Sequence, residues 1–520
     1  MGLLQKKQNS PTTWRLLILT VFVILTSLLF QCPINHDAGW YLYAAGAILD
    51  GAKIYLDLID VNPPLIFWLH IPPVWLGRLL NCSAVPLFNS FFLFIVVLSL
   101  TLSTHILKKV LLHLPRSSQY CFLGVLIFLF LPYEMPWNCF GQREHLMLVF
   151  VTPYVFASAA RLMGYPLQIK FAAALGLLAG MGFALKPQFL FAYFCIETYL
   201  LVAHRSYKFW KRPESLVIFL YQALHWGYII LAMPEYKAAV LMILPVYGSF
   251  TDPIPIRYLV AYSALFGSAV ISFLILRSNK LGQLLFVAFS AFFILALVQN
   301  KGWHYHLYPT SCSAAMLIAF AILSFDQKIK KTKKLLLATR CAIILMFLCL
   351  IVLKAMPFIK PFSKITYPFG ESLNQLIPIV KQHAYGKPIY VFSSSVTPAF
   401  PLVNYAQARW SSRFNCLWFL PKFYTDVTAT EQAFPYHGIA EMDMLERSFL
   451  EKLISDIIKA SPTIVIVDCA PWLQGFGKTN FQYLEYFSQE SRFASFWKDY
   501  VFLTSVDTYK VFKRNPRQKP

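Results

Sequence analysis

"INHDAGWYLYAAGAILDGAKIYLDLIDVNPPLIFWL", residues 34–69, lies between two apolar runs, yet it carries Asp37, Asp50, Asp57 and Asp60, three tyrosines and Pro63-Pro64. Residues 37–50 read as one short helix, with Asp37 at its start, Trp40, Tyr41 and Tyr43 following, and Gly51 closing it. It is too polar to cross a bilayer. Aromatic residues of this kind sit at the headgroup level, so the helix is expected to lie along a membrane interface. Asp37 also suits a plainer duty as N-cap or dipole partner. Pro63-Pro64 reads as the start of a span.

Outward from this loop the chain is apolar. Of 520 residues, 58% are hydrophobic and 13% charged, about half the charge of an ordinary globular domain. Apolar runs near the ~20 residues that a spanning helix needs recur through the first two thirds. Lipid leaves open backbone groups unsatisfied, so the spans must be helices. About eleven are expected, near 16–31, 84–107, 120–133, 145–160, 171–185, 188–203, 215–232, 258–276, 281–298, 305–324 and 338–356. No small-residue cleavage site follows the first run, which reads as a retained span.

The net charge of +22 invites a nucleic-acid reading, but its distribution argues against one. With the N-terminus inside, the basic residues collect in inside loops, such as Lys108-Lys109, Arg205 to Arg212 and the run from Lys328 to Arg340. The outer loops hold far fewer, so the excess sets topology. An odd number of spans leaves the C-terminal region outside. The ten cysteines show no metal spacing, and whether Cys416 pairs with Cys469 stays open.

Residues 357–520 lose the long apolar runs and read as a soluble α/β domain, against a transmembrane domain over 1–356 whose first outer loop is 31–83. "KPIYVFSS" (387–394) and "PTIVIVD" (462–468) read as buried strands, 441–460 as a helix, and 500–514 as a hairpin. "GFGKT" (475–479) imitates the end of a phosphate-binding loop, but Trp472 stands where that motif needs its first glycine.

Polar residues gather at the outer ends of the spans. Asp37 and Asn62 lie in the first outer loop, Arg143, Glu144 and His145 in the second, Lys186 in the third, and Lys301, Trp303, His304 and His306 in the fifth. Any one of these is ordinary as a snorkelling anchor or a cap. Carboxylates facing several cations at the membrane surface mark a functional site.

The first loop resembles the bacterial relatives of the dolichyl-phosphate-mannose protein mannosyltransferases, which include the lipid A aminoarabinose transferases, all glycosyltransferases of the GT-C class. The resemblance rests on Asp37, Trp40-Tyr41, Ala44-Ala45, Gly51, Tyr55, Asp57 and Pro63-Pro64, with weaker support from "GQREHL" (141–146) and "ALKPQF" (184–189). It implies an all-α polytopic inner-membrane protein of GT-C-like fold with a C-terminal extracytoplasmic α/β domain. It further implies transfer of a sugar from a polyprenyl-phosphate-linked donor to a lipid, glycan or protein acceptor, with Asp37 as the catalytic carboxylate. Two positions depart from the pattern: Ala38 follows the Asp where relatives often have an acid, and Asn62 precedes Pro-Pro where they often have a donor-binding Lys.

The residue types suit that chemistry. A carboxylate serves as base for the acceptor hydroxyl. A leaving phosphate needs cations beside it, and Arg143 and Lys186 are the candidates. Glu144 would orient Arg143 or bind the acceptor, His145, His304 and His306 would bind sugar or phosphate, and Trp303 suits a sugar face. No tightly bound metal is expected, although four carboxylates in one loop leave room for a divalent cation. The rival readings are a flippase or transporter for a lipid-linked saccharide, which would carry broken helices near mid-membrane, and a polysaccharide polymerase or ligase.

Overall fold

The computed structural model describes residues 11–131, 139–249, 256–301, 303–328, 368–427 and 434–515. The chain runs through α1 (Pro11–Gln31), α2 (His36–Leu49), α3 (Leu65–Leu79), α4 (Ala84–Val110), α5 (Arg116–Phe130), α6 (Arg143–Leu162) and α7 (Ile169–Ala184). It continues through α8 (Phe189–His204), α9 (Pro213–Ala232), α10 (Pro234–Ser249), α11 (Ile256–Leu276), α12 (Lys280–Gln299) and α13 (Tyr308–Lys328). Six helical segments among the described residues are long and apolar enough to cross a membrane: Thr12–Gln31, Ala84–Val110, Arg143–Leu162, Pro213–Ala232, Lys280–Gln299 and Tyr305–Ser324. Five shorter apolar helices accompany them, Leu65–Leu79 among them. The expected span at 338–356, most of the basic run before it, and the start of the C-terminal region lie outside the described residues. α3 and α10 are helices that the sequence reading left inside outer loops.

The chain divides into two compact units. The first takes the described parts of 1–32, 89–228 and 251–363. At its centre is α6, buried continuously from Arg143 to Ala160. α7 packs against it at Gly182, where an added Cβ would come within 2.9 Å of both Phe150 and Val151. A buried ionic network ties α6, α8 and α9 together. Arg212 donates to both Glu197 oxygens at 2.7 Å, Ser215 and Tyr154 also donate to Glu197, and Arg161 reaches Glu214 at 3.2 Å. A carboxylate is costly inside an apolar bundle unless it is paired and hydrogen-bonded, and this network meets that condition for Glu197.

The second unit takes 33–88, 229–250 and the described residues after 363. Its five-stranded sheet runs β2-β1-β3-β5-β4. β1 (Pro388–Phe392) pairs in parallel with β2 (Arg409–Trp410) and β3 (Ile464–Asp468). β5 (Tyr509–Arg514) pairs antiparallel with β3 and with β4 (Tyr500–Val506). β1 and β3 read as unbroken apolar runs because both of their faces are covered. Residues 473–477 form a turn closed by a bridge between Leu473 and Gly477, and no helix opens over 475–479. Cys416 and Cys469 are both free thiols.

α2 belongs to this second unit. It docks on the helix Ala399–Ala406 through Gly39, whose carbonyl accepts from Asn404 at 3.0 Å. A Cβ on Gly39 would fall 2.9 Å from Asn404 and 3.3 Å from Phe400. Trp40 meets Phe400 edge-on, and the Tyr43 hydroxyl accepts from the Trp410 N–H at 3.1 Å. Trp40 and Tyr41 are each 1% exposed. These aromatics were expected at the lipid headgroups; the structure packs them in protein, Trp40 and Tyr43 against Phe400 and Trp410, and Tyr41 against Phe67 and His70 of α3.

Candidate active site

In the second unit, Asn35 caps α2 by accepting from the Asp37 N–H at 2.8 Å. The cap duty therefore falls to Asn35, and the Asp37 carboxylate is not spent on it. Asp37 stands in the first turn, where the helix's N–H groups favour negative charge. Its side chain is 16% exposed and lies 3.5 Å from His36 Nε2. His36 was not foreseen as a neighbour, although its adjacency in sequence was the available signal.

The remaining acids of the loop are turn-makers. Asp60 accepts from Trp40 Nε1 at 2.7 Å and from the Asn62 side chain at 2.6 Å. Asp57 accepts from the Lys53 N–H at 2.8 Å, and Asp50 pairs with Arg78 at 2.8 Å. Asn62 is buried; its amide also donates to Tyr41, and its carbonyl accepts from Tyr55.

The first unit brings together a second set of the expected residues. Glu144, in the first turn of α6, forms an ion pair with Lys186, which follows α7. His306 Nε2 lies 3.5 Å from Lys186 Nζ and 3.8 Å from Glu144 Oε1. All three are buried. Two of their polar atoms, Glu144 Oε2 and His306 Nδ1, have no hydrogen-bond partner among the described residues. Buried polar atoms are rarely left so, and a bound polar ligand is one way to complete them. Lys186 Nζ also stands 5.6 Å from the ring centre of Tyr305, a cation–π contact that the sequence reading missed. Tyr305 lay hidden in the aromatic run "GWHYH", which offers no spacing to single it out.

Arg143 opens α6 and is buried, as is Lys301, whose ammonium pKa is lowered by burial. Trp303 stacks on Tyr305 at 5.7 Å and meets His306 edge-on at 5.3 Å. The His304 side chain lies outside the described residues. His145 is placed differently. Its Nδ1 accepts from the Gly141 N–H at 3.2 Å, so its Nε2 carries the proton and donates to the Phe130 carbonyl at 2.9 Å. Both ring nitrogens thus serve the backbone that leads into α6.

A buried carboxylate, ammonium and imidazole with open acceptor and donor capacity can bind a charged, hydroxylated ligand. A carboxylate at a helix start can take a proton. No protein-family model matches the chain, and no curated protein sequence matches it. Among solved structures the chain is similar to ArnT from Cupriavidus metallidurans in the apo state, with a TM-score of 0.54 and 11% identity. The likeness covers 96% of this chain and 98% of that one. At that identity it speaks for the fold alone, a largely helical chain with membrane-length apolar helices and a small C-terminal sheet.

Proposed function

We propose that this protein is a GT-C membrane glycosyltransferase that moves a sugar from a polyprenyl phosphate to an acceptor hydroxyl at the extracytoplasmic face, inverting the anomeric carbon. The acceptor oxygen bonds to that carbon and its proton passes to the Asp37 carboxylate. The bond from the carbon to the phosphate oxygen breaks, and the polyprenyl phosphate leaves with the electron pair. Lys186 and Arg143 are assigned the growing phosphate charge, the kind of stabilisation that is often the largest catalytic contribution. Glu144 and His306 hold Lys186 in place and offer open polar atoms to the substrate.

The observation that carries this reading is Asp37. Asn35 relieves it of capping, and it remains partly exposed at the start of a helix that packs against the C-terminal residues. Loss of the protein should remove one sugar from an envelope lipid or glycan. Wild-type protein should restore it. Asp37→Asn, expressed at the same level with an unchanged unfolding midpoint, should fall short by ~10²-fold or more in transfer. Full restoration by Asp37→Asn would remove the base, and with it the proposed chemistry.

A further inference from the structure

A cavity of about 860 Å³ opens in the second unit along the C-terminal half of α2. The α2 residues that line it run from Leu42 to Asp50, roughly 8–20 Å along the helix from Asp37, and Asp37 itself is not on the lining. Its volume suits a small ligand or a lipid headgroup. One wall is small and apolar, built from Gly46, Ala47, Val74 and Gly77. The C-terminal residues add polar lining at Tyr385, Asn404, Gln407 and Arg409.

Two guanidinium groups line the cavity, Arg78 and Arg409. Arg78 donates to the Gly46 carbonyl at 2.9 Å and to Asp50 at 2.8 Å. Asp50 therefore offsets much of the Arg78 charge, while Arg409 is exposed. The balance is one net positive charge. That suits a singly charged phosphodiester better than a doubly charged phosphate monoester, and guanidinium is the side chain whose geometry matches phosphate oxygens. Asn404, Gln407 and Tyr385 add partners for hydroxyl groups on such a head.

α3 and the residue after it also carry exposed apolar side chains. Trp75, Leu79 and Leu80 are 56%, 63% and 56% exposed, beside the wall residues Val74 and Arg78. Exposed apolar surface on the same helix that supplies Val74, Gly77 and Arg78 to the cavity fits a molecule that is polar at one end and greasy at the other. We infer that this cavity is a binding site for an anionic phosphodiester lipid, its head between Arg78 and Arg409 and its chains along Trp75, Leu79 and Leu80. The site is independent of the transfer reaction proposed above and stands whether or not that reaction is correct.

Native mass spectrometry of the full-length protein in detergent tests it with three probes: dioleoylphosphatidylglycerol, dioleoylphosphatidylcholine with the same chains, and glycerophosphoglycerol, the head alone. One phosphatidylglycerol should bind with a preference of about tenfold over phosphatidylcholine, the size expected of a specific charge contact. Arg409→Gln should weaken it about fivefold, the effect of one charge at a lipid surface. Ala47→Phe, which fills the apolar wall, should weaken it further, and glycerophosphoglycerol should not compete at millimolar concentration. Equal binding of the two lipids, or wild-type binding by Arg409→Gln, would overturn the site. Binding of the head alone as tightly as the whole lipid would overturn the lipid assignment in favour of a soluble phosphodiester.

Discussion

Lys186 and Glu144 are each tolerable in the protein interior because the other is present. Removing one leaves a buried charge without its partner, which typically costs about 3–5 kcal/mol, whereas replacing both is often near neutral. Lys186→Met should therefore lower the unfolding midpoint, and the double variant Glu144→Gln, Lys186→Met should recover most of it. If the pair serves the donor phosphate, transfer should stay impaired in the recovered double variant, by about 1–3 kcal/mol in kcat/KM. Wild-type turnover by the stable double variant would take both residues out of the chemistry. Asp468, at the end of β3, poses a separate question. Burial raises its pKa above the ordinary 3.8, despite hydrogen bonds from Ser393 and the Ala470 N–H. With the folded value above the unfolded one, the ionised carboxylate costs stability at neutral pH. That cost disappears as pH falls from the raised value to the ordinary one. Asp468→Asn should accordingly raise the unfolding midpoint at pH 7, and its advantage over wild type should vanish by about pH 3.5. An advantage independent of pH would refute the desolvation cause. Single residues were the least legible level of the sequence. His145 and His306 look alike in their motifs, yet one serves backbone groups of Phe130 and Gly141 and the other an ion pair. Only the three-dimensional partners separate them.

At the scale of elements, α2 depends on a close approach. Gly39 is needed because Asn404, Phe400 and Pro401 occupy the space a side chain would take. Gly39→Val should cost about 1–3 kcal/mol through overpacking, read as a lower unfolding midpoint and faster proteolysis within 399–406. Gly51→Ala, where only the positive φ of 93° opposes a Cβ, should cost about 1 kcal/mol at most. Equal effects of the two would mean that α2 is not seated on Asn404. Much at this scale was legible. The unbroken apolar runs became β1 and β3, and the alternation over 500–514 became the β4–β5 hairpin. The apolar face of 444–460 became a helix capped by Asp443. β2 escaped because two residues, Arg409 and Trp410, carry no period. α3, whose start Pro63-Pro64 marked, was left out of the span count because Pro72 and Pro73 interrupt it. The Glu197–Arg212 network escaped because a single acid inside an apolar run leaves no pattern.

For the whole molecule, the crowding of Lys and Arg into alternate loops predicts an N-terminus inside and a C-terminal region outside. A single cysteine at Lys498, in a chain freed of its ten native cysteines, should react with an impermeant maleimide in intact cells. Reaction only after permeabilisation would reverse the orientation. Hydropathy made the helical membrane class readable from the sequence, but it could not show that residues 33–88 and 229–250 fold with the C-terminal sheet. That grouping rests on contacts between distant residues, such as Gly39 with Asn404 and Ile59 with Arg413. It also sets a timetable for synthesis. Asn404 follows Gly39 by 365 residues, and at ~5–20 residues per second a ribosome needs roughly 20–70 seconds to deliver it. Through that interval Trp40 and Tyr43 have been made and Phe400 and Trp410 have not. The nascent chain thus holds an unmated aromatic helix for most of its translation, and a ribosome stalled before Phe400 strands it without the surface it was made to meet.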